Sequence, residues 1–148
     1  MPVSRWTTLF AALASTLMIV GTAVAEAPRI IRVEELSSAD SAATGQLQMP
    51  KFQDAAWQQP GDEFVVTWKP NAEGSPVGTT VRFQYRQQRR KEIRTLEVTY
   101  PFVVNQSRSA SFAVIGEAYQ RGGRVTAWRV QILEGGRIAA ERRSPDWS

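Results

Sequence analysis

The chain has 148 residues, a formal net charge of +4, and neither histidine nor cysteine. Without histidine, a Ser-His-Asp triad, a histidine-ligated metal and the usual general base near neutral pH are excluded. Without cysteine, thiol nucleophiles, zinc–thiolate sites and disulfide bonds are excluded as well. The composition therefore favours a non-enzymatic protein that needs no metal or cofactor and is stabilised by packing.

Residues 1–25 are typical of a cleavable secretory signal. Arg5 supplies a positive charge, a densely apolar run covers residues 9–20, and the small side chains of Ala23 and Ala25 suit a signal peptidase. The apolar run is shorter than the roughly 20 residues that cross a bilayer, and an uncleaved N-terminal anchor is the alternative. Both interpretations predict export to a bacterial periplasm, the cell surface or the medium. If the signal is cleaved, no membrane span is expected in the remaining chain.

The remaining chain divides into three parts by composition. Residues 26–62 are predicted to form an N-terminal arm, with a possible first strand at Arg29–Val33 and a linker rich in small polar residues at Ser37–Gly45. Residues 63–143 are predicted to form the domain core, and residues 144–148 a polar tail. Trp57 and Trp147 lie outside the regular patterns and are interpreted as packing residues rather than exposed binding platforms.

Apolar and polar residues alternate with a period of two along much of the chain after residue 62, which predicts half-buried β-strands. The predicted strands are 63–69, 81–86, 95–100, 110–114, 127–132 and 137–141, with one helical turn at Glu117–Arg121. Pro101 and the Gly122-Gly123 and Gly135-Gly136 pairs mark strand ends and turns. With the N-terminal strand, this makes an all-β sandwich or barrel of about seven strands. The predicted core is Phe64, Val66, Trp68, Val81, Phe83, Tyr85, Val98, Phe112, Trp128, Val130 and Ile132.

Three segments resemble the fibronectin type III and immunoglobulin-like domains. Residues 65–70, Val-Val-Thr-Trp-Lys-Pro, resemble the second strand of that family, in which a tryptophan fills the core before a proline-containing loop. Residues 81–85 resemble the next strand, and 128–132 with the following Gly-Gly turn resemble the last pair of strands. The resemblance spans residues 63–143 and implies a single β-sandwich used as a spacer, an adhesive module or a binding platform. The family's usual tyrosine is replaced here by Trp128, and its Leu-x-Pro approach to that strand is absent.

The acidic residues do not suggest a hydrolase. Glu34-Glu35 and Asp62-Glu63 are adjacent pairs, and neighbouring residues of a strand point to opposite faces. They therefore cannot supply the two facing carboxylates of a glycosidase, and we interpret them as solvated charges at strand ends. Asp54, Asp62 and Glu63 also lack the spacing of a calcium-binding loop.

A basic segment is the best candidate for a binding site. Residues 86–91, Arg-Gln-Gln-Arg-Arg-Lys, are predicted to form a hairpin tip that Arg82 and Arg86 continue along the outward face of one strand. Guanidinium groups suit carboxylates and phosphates, and export makes nucleic acid an improbable ligand. The expected partner is an envelope protein or an anionic glycan or lipid surface, and the alternative is a solvated turn that discourages edge pairing. The candidate residues are Arg82, Arg86, Arg89, Arg90, Lys91, Arg94 and Arg129.

A second functional hypothesis concerns the N-terminal arm. An apolar stretch at Arg29–Leu36 is followed by the flexible composition of 37–45. This is the arrangement expected of a subunit that assembles by donating a strand to a neighbour. The sequence thus leaves two functions open, an anion-recognising envelope module and a structural subunit assembled by strand exchange.

Overall fold

The computed structural model describes residues 26–37 and 59–148. The predicted secretory signal, most of the predicted linker and the segment containing Trp57 lie outside the described residues. The elements are β1 (Arg29–Ser37), β2 (Gly61–Lys69), β3 (Thr80–Gln87), β4 (Arg90–Thr99), β5 (Arg108–Ile115), α1 (Gly116–Gly122), β6 (Val125–Glu134) and β7 (Arg137–Arg143). In the described part of the chain, no helix is both long and apolar enough to cross a membrane.

The strands form two antiparallel sheets, one in the order β1-β2-β5 and the other in the order β4-β3-β6-β7. The prediction of an all-β fold with about seven strands is confirmed by the seven strands of the described residues, and the predicted helical turn is the short helix α1. Rings from the two sheets meet between them: the centroid of Phe83 lies 4.8 Å from that of Phe64 and 5.2 Å from that of Phe112. The sheets therefore pack face to face around an aromatic centre.

The core follows the alternation of the strands. Nine of the eleven predicted core residues are buried, while Val98 and Trp128 are half-buried and pack against them. The predicted core left out Tyr100, Val104, Ala110, Val114 and Val125, which are also buried, although Tyr100, Ala110 and Val114 stand at apolar positions of the predicted strands. Val104 lies in the connection after β4, where no period of two marks an inward-facing side chain.

β1 belongs to the sheet of its own chain. It pairs with β2 from Arg29 opposite Lys69 to Ser37 opposite Asp62, and Ile30 and Val33 pack against the core. The donor-arm hypothesis requires this strand to pair with another chain instead.

Asp62 corrects one sequence-based interpretation. Its side chain is fully buried rather than solvated, because its Oδ2 accepts a hydrogen bond of 2.8 Å from the backbone N–H of Val125. Asp62 thus connects β2 to the start of β6 across the sandwich. Its Oδ1 has no hydrogen-bond partner in the described structure, so the bond to Val125 is made at the cost of desolvating a carboxylate.

The β3–β4 hairpin is tighter than predicted. The sequence predicts a hairpin tip over residues 86–91, but β3 ends at Gln87 and β4 begins at Arg90, so Arg90 and Lys91 are strand residues. The Gln87 side chain is buried and donates to the carbonyl oxygens of Ala118 and Gly123 at 3.0 and 2.8 Å. These bonds fix the end of β3 against α1, which shortens the turn to Gln88 and Arg89.

Candidate functional site: a basic hairpin and a paired arginine stripe

The predicted arginine stripe lies on the outward face of the β4-β3-β6-β7 sheet. Arg82 and Arg86 alternate along β3, and β6 pairs with β3 so that Arg129 stands opposite Gln84. Arg129, one of the seven candidate residues, can join Arg82 and Arg86 only if β6 lies beside β3, and this pairing is present. Arg82, Arg86 and Arg129 are therefore brought to one sheet face, and their availability depends on what each contacts there.

Two cations of this stripe have acidic partners on the neighbouring strands. Arg82 Nε lies 2.6 Å from Glu97 Oε1 of β4, a residue directly opposite it in the register. Arg129 donates from Nε and Nη2 to Gln84 Oε1, at 3.0 and 2.6 Å, and its Nη1 lies 4.0 Å from Glu141 Oε2 of β7. Opposite charges on facing strands stabilise a sheet surface. These contacts therefore account for Arg82 and Arg129 without an external ligand.

The third cation of the stripe is held by the chain after β7. Trp147 lies between Arg86 and Arg129, with each guanidinium carbon 5.0 Å from the ring centroid. Arg86 Nη2 also donates to the Ser148 carbonyl oxygen at 2.6 Å. The predicted preference for packing at Trp147 is confirmed, since only 7% of this residue is exposed. It packs on the outer sheet face rather than at an end of the core.

Ser144 positions this segment. Its backbone N–H donates to the Trp128 carbonyl oxygen at 2.9 Å, and its Oγ accepts from the Trp128 N–H at 3.0 Å. The chain can then turn back, with the Trp147 N–H donating to the Ser144 carbonyl oxygen at 3.1 Å. Residues 144–148, predicted to be a polar tail, thus cover part of the outward face of β3 and β6.

Arg89 at the hairpin tip has a structural contact. Its backbone N–H donates to the Gly122 carbonyl oxygen at 2.9 Å, and its Nη1 donates to the Gln120 carbonyl oxygen at 3.2 Å. Carbonyl groups at a helix C-terminus lack intrahelical partners and attract cations. Arg89 therefore connects the hairpin to the last turn of α1.

Arg90, Lys91 and Arg94 differ from the other candidate residues. Within residues 26–37 and 59–148, their side chains form no ion pair or hydrogen bond with another residue. All three lie on β4, which is an edge strand of its sheet in the part of the chain that the structure describes. The structure therefore separates the seven candidate residues into four with protein contacts and three cations without an ion pair, of which Lys91 and Arg94 are exposed and Arg90 is half-buried.

Tyr85 joins Arg90 and Arg94 in one local environment. Arg94 is the register partner of Tyr85 and Arg90 is that of Gln87; since Tyr85 and Gln87 are both buried on the inner face of the sheet, Arg90 and Arg94 lie on that side. Burial raises the pKa of the Tyr85 phenol, while the charges of Arg94 and Arg90 act in the opposite direction. The two guanidiniums are thus close enough to the phenol to influence its ionisation, and together they can supply several donors to one anion.

Comparison with known proteins bears on the fold alone. No known family and no curated protein matches this sequence. A crystal structure from Akkermansia muciniphila is similar, with a TM-score of 0.50 over 80% of this chain and 69% of that one, at 16% sequence identity. This similarity supports the β-rich architecture, and at such low identity it carries no information about ligands or activity.

Proposed function

We propose that this chain is an exported, non-enzymatic binding module of the cell envelope, built on an immunoglobulin-like sandwich of the fibronectin type III kind. Two features support this fold type. One sheet contains three strands, β1-β2-β5, and the other contains four, β4-β3-β6-β7. Along the chain, β1 and β2 belong to the first sheet, β3 and β4 to the second, β5 to the first, and β6 and β7 to the second. Trp68 of the second strand is fully buried and is followed by Pro70, as the family resemblance implies. The signal-like composition of residues 1–25 supports export.

The partner is an anionic surface of the envelope, recognised by the three unpaired cations of β4. The observation that carries this proposal is the contrast between the two basic groups. Arg82 and Arg129 are paired with Glu97 and Glu141, whereas Arg90, Lys91 and Arg94 meet no acid in the part of the chain that the structure describes. Unpaired charges at a sheet edge remain hydrated and accessible to a ligand.

The chemistry of these side chains defines the ligand class. Arginine presents a planar fork of donors that matches a carboxylate, sulfate or phosphate, and lysine adds a point charge. Acidic glycans, anionic headgroups and acidic protein surfaces all carry such groups. Binding by exposed charges weakens with salt because the Debye length falls from roughly 10 Å at 0.1 M to roughly 3 Å at 1 M.

The test is co-sedimentation of the purified domain, residues 26–148, with envelope fractions of its own cell at low and high salt. The test variant carries Arg90→Ala, Lys91→Ala and Arg94→Ala. The control variant carries Arg29→Ala, Arg32→Ala and Arg137→Ala, which remove the same charge at exposed positions of β1 and β7. Arg29 and Arg32 contact Glu26 and Glu34 only at the surface, so their loss costs little stability.

We expect salt-sensitive binding that the β4 variant loses by at least about tenfold and the control retains. Equal loss in both variants would show that only net charge matters. Binding that is unchanged in the β4 variant would refute the proposed site and leave the cations as protection of a sheet edge against pairing. Enzymatic or chemical removal of glycans from the fraction then separates a glycan partner from a protein one.

A further inference from the structure

Two loops lie side by side at the end of the sandwich opposite the β3–β4 hairpin. They are the β2–β3 connection, 70–79, and the β4–β5 connection, 100–107. Ser75 and Val104 exchange two backbone hydrogen bonds of 2.9 Å, and Tyr100 bonds to both Gly78 and Thr79 through its backbone at 2.9 Å. The two loops are thus held together as a short antiparallel ribbon, which fixes the position of the side chains at its tip.

Three large apolar side chains project from this ribbon into solvent. Val77 is 62% exposed, Phe102 45% and Val103 48%. Val77 belongs to the first loop, and Phe102 and Val103 belong to the second, in the stretch between the Ser75–Val104 and Gly78–Tyr100 pairs. We call these three residues the loop tip. The other large apolar residues that are exposed in the described structure stand on strands: Ile31 and Leu36 on β1, Ile93 on β4 and Ile138 on β7.

A series of ring contacts connects the loop tip to the core. The Trp68 and Tyr100 ring centroids are 5.5 Å apart, and Trp68 Nε1 donates to the Tyr100 hydroxyl at 3.4 Å. Tyr100 in turn meets Phe102 edge to face at 5.9 Å. Phe102 therefore packs on the buried pair Trp68 and Tyr100, and this contact fixes the position of its partly exposed ring.

A cation borders the loop tip. The Arg108 guanidinium carbon lies 5.5 Å from the Phe102 ring centroid, and Lys69 is exposed at the same end, where β2 runs into the first loop. An apolar projection bordered by long cationic side chains fits a membrane interface, where apolar groups enter the acyl region and cations reach the headgroups. Glu73 is the only acid in the two loops. Its charge offsets part of the attraction of Arg108 and Lys69 for anionic headgroups, so the apolar residues contribute most of the expected binding free energy.

We infer that the loop tip docks this domain on a lipid bilayer that contains anionic headgroups. Its projecting shape favours a deformable lipid surface over a protein pocket, since Val77, Phe102 and Val103 rise from two loops rather than line a groove. The inference is independent of the proposed β4 site, which runs from the β3–β4 hairpin to Arg94 in the middle of β4. The two sites also differ in chemistry, because apolar insertion persists at high salt and charge pairing does not.

The experiment is flotation of the domain, residues 26–148, with vesicles of phosphatidylcholine alone or mixed with phosphatidylglycerol, at low and high salt. The test variant carries Val77→Ser, Phe102→Ser and Val103→Ser, which leave the charge unchanged. The matched control carries Ile31→Thr, Ile93→Thr and Ile138→Thr, which reduce exposed apolar surface elsewhere by a similar amount. Circular dichroism verifies that both variants are folded.

We expect the wild type to bind the mixed vesicles more strongly than phosphatidylcholine alone and to retain most of that binding at high salt. The loop-tip variant should bind at least about tenfold more weakly, while the control and the β4 variant stay near wild type at high salt. No flotation of the wild type, or equal flotation of the loop-tip variant, overturns the inference. A wild-type dimer that becomes monomeric in the loop-tip variant, without vesicle binding, would assign the tip to a second copy of the chain.

Discussion

Replacing Trp147 with alanine tests whether the segment after β7 is an integral part of the domain. The ring is 93% buried, since only 7% of the residue is exposed, and it lies between the Arg86 and Arg129 guanidiniums. A buried indole removes roughly 200 Å² from water. At about 25 cal/mol per Å² this gives an upper bound of about 5 kcal/mol on its contribution to the free energy of unfolding.

The expected loss is smaller than this bound because the ring packs on charged side chains at a sheet surface. Each cation–π contact contributes about 0.5–1 kcal/mol at a partly exposed site, and part of the sheet face becomes hydrated again when the ring is removed. We therefore expect Trp147→Ala to lower the free energy of unfolding by about 2–3 kcal/mol. Trp147→Phe, which keeps a smaller ring between the two cations, should lose about 1 kcal/mol.

Urea denaturation followed by far-UV circular dichroism measures both variants, and the remaining tryptophans of the domain, Trp57, Trp68 and Trp128, report independently by fluorescence. With a slope of about 1–2 kcal/mol per M for a domain of this size, the alanine variant should unfold at a urea concentration about 1–3 M lower. A loss below about 0.5 kcal/mol would refute the packing role. A double-mutant cycle with Arg129→Ala should then show no coupling, whereas the contact predicts about 0.5–1 kcal/mol.

Two further predictions concern buried polar groups. Asp62→Ala removes the acceptor of the Val125 N–H and should lower the free energy of unfolding, measured by urea denaturation, by about 1–3 kcal/mol. Asp62→Asn retains an acceptor and should lower it less. Equal stability of the wild type and both variants would contradict the role of this bond. Burial raises the pKa of Tyr85 despite the opposing charges of Arg94 and Arg90, so the folded state favours the neutral phenol. The stability contributed by the neutral Tyr85 phenol is present below the pKa of about 10 that a tyrosine has in the unfolded chain, and it is lost as the pH rises through the pKa of Tyr85 in the folded state. The urea midpoint of the wild type should therefore fall more steeply above about pH 9 than that of Tyr85→Phe, and parallel curves would show that Tyr85 does not titrate with unfolding.

The strands were predictable where one face is buried and the other is wet. Phe64, Val66 and Trp68 on β2, and Val81, Phe83 and Tyr85 on β3, alternate with polar residues because each sheet contributes only one face to the core. Local alternation is insufficient where burial comes from a distant segment. Asp62 is buried because its carboxylate meets the Val125 N–H, 63 residues later in the chain, and the sequence around Asp62 gives no sign of that contact.

The basic residues show a similar limit. The sequence places Arg82, Arg86 and Arg129 on outward faces by alternation, but their availability depends on register. Glu97 neutralises Arg82 only because β4 pairs with β3 so that the two residues are opposite each other. Trp147 gave one usable signal, an aromatic residue in an otherwise polar segment. Its position between two arginines required the return of the chain after Ser144, which no periodic pattern encodes.

The β4 cations and the loop tip are far enough apart that their contributions to binding can be measured separately. β3 has eight residues and, at about 3.3 Å per residue, spans roughly 25 Å from the loops at its start to the hairpin at its end. This distance exceeds the Debye length of roughly 8 Å at physiological salt, so removing the cations of β4 leaves the electrostatic environment of Phe102 nearly unchanged. If both proposals hold, a bilayer docked at the loop tip lies about 17 Å along β4 from Arg94 and farther from Lys91 and Arg90, whose side chains project sideways from the strand. The anionic partner of β4 would then be a second surface or molecule, because a single flat membrane cannot contact both ends of the sandwich at once. High-salt flotation that depends on Phe102, combined with low-salt envelope binding that depends on Arg94, would identify a domain that bridges two components of the envelope.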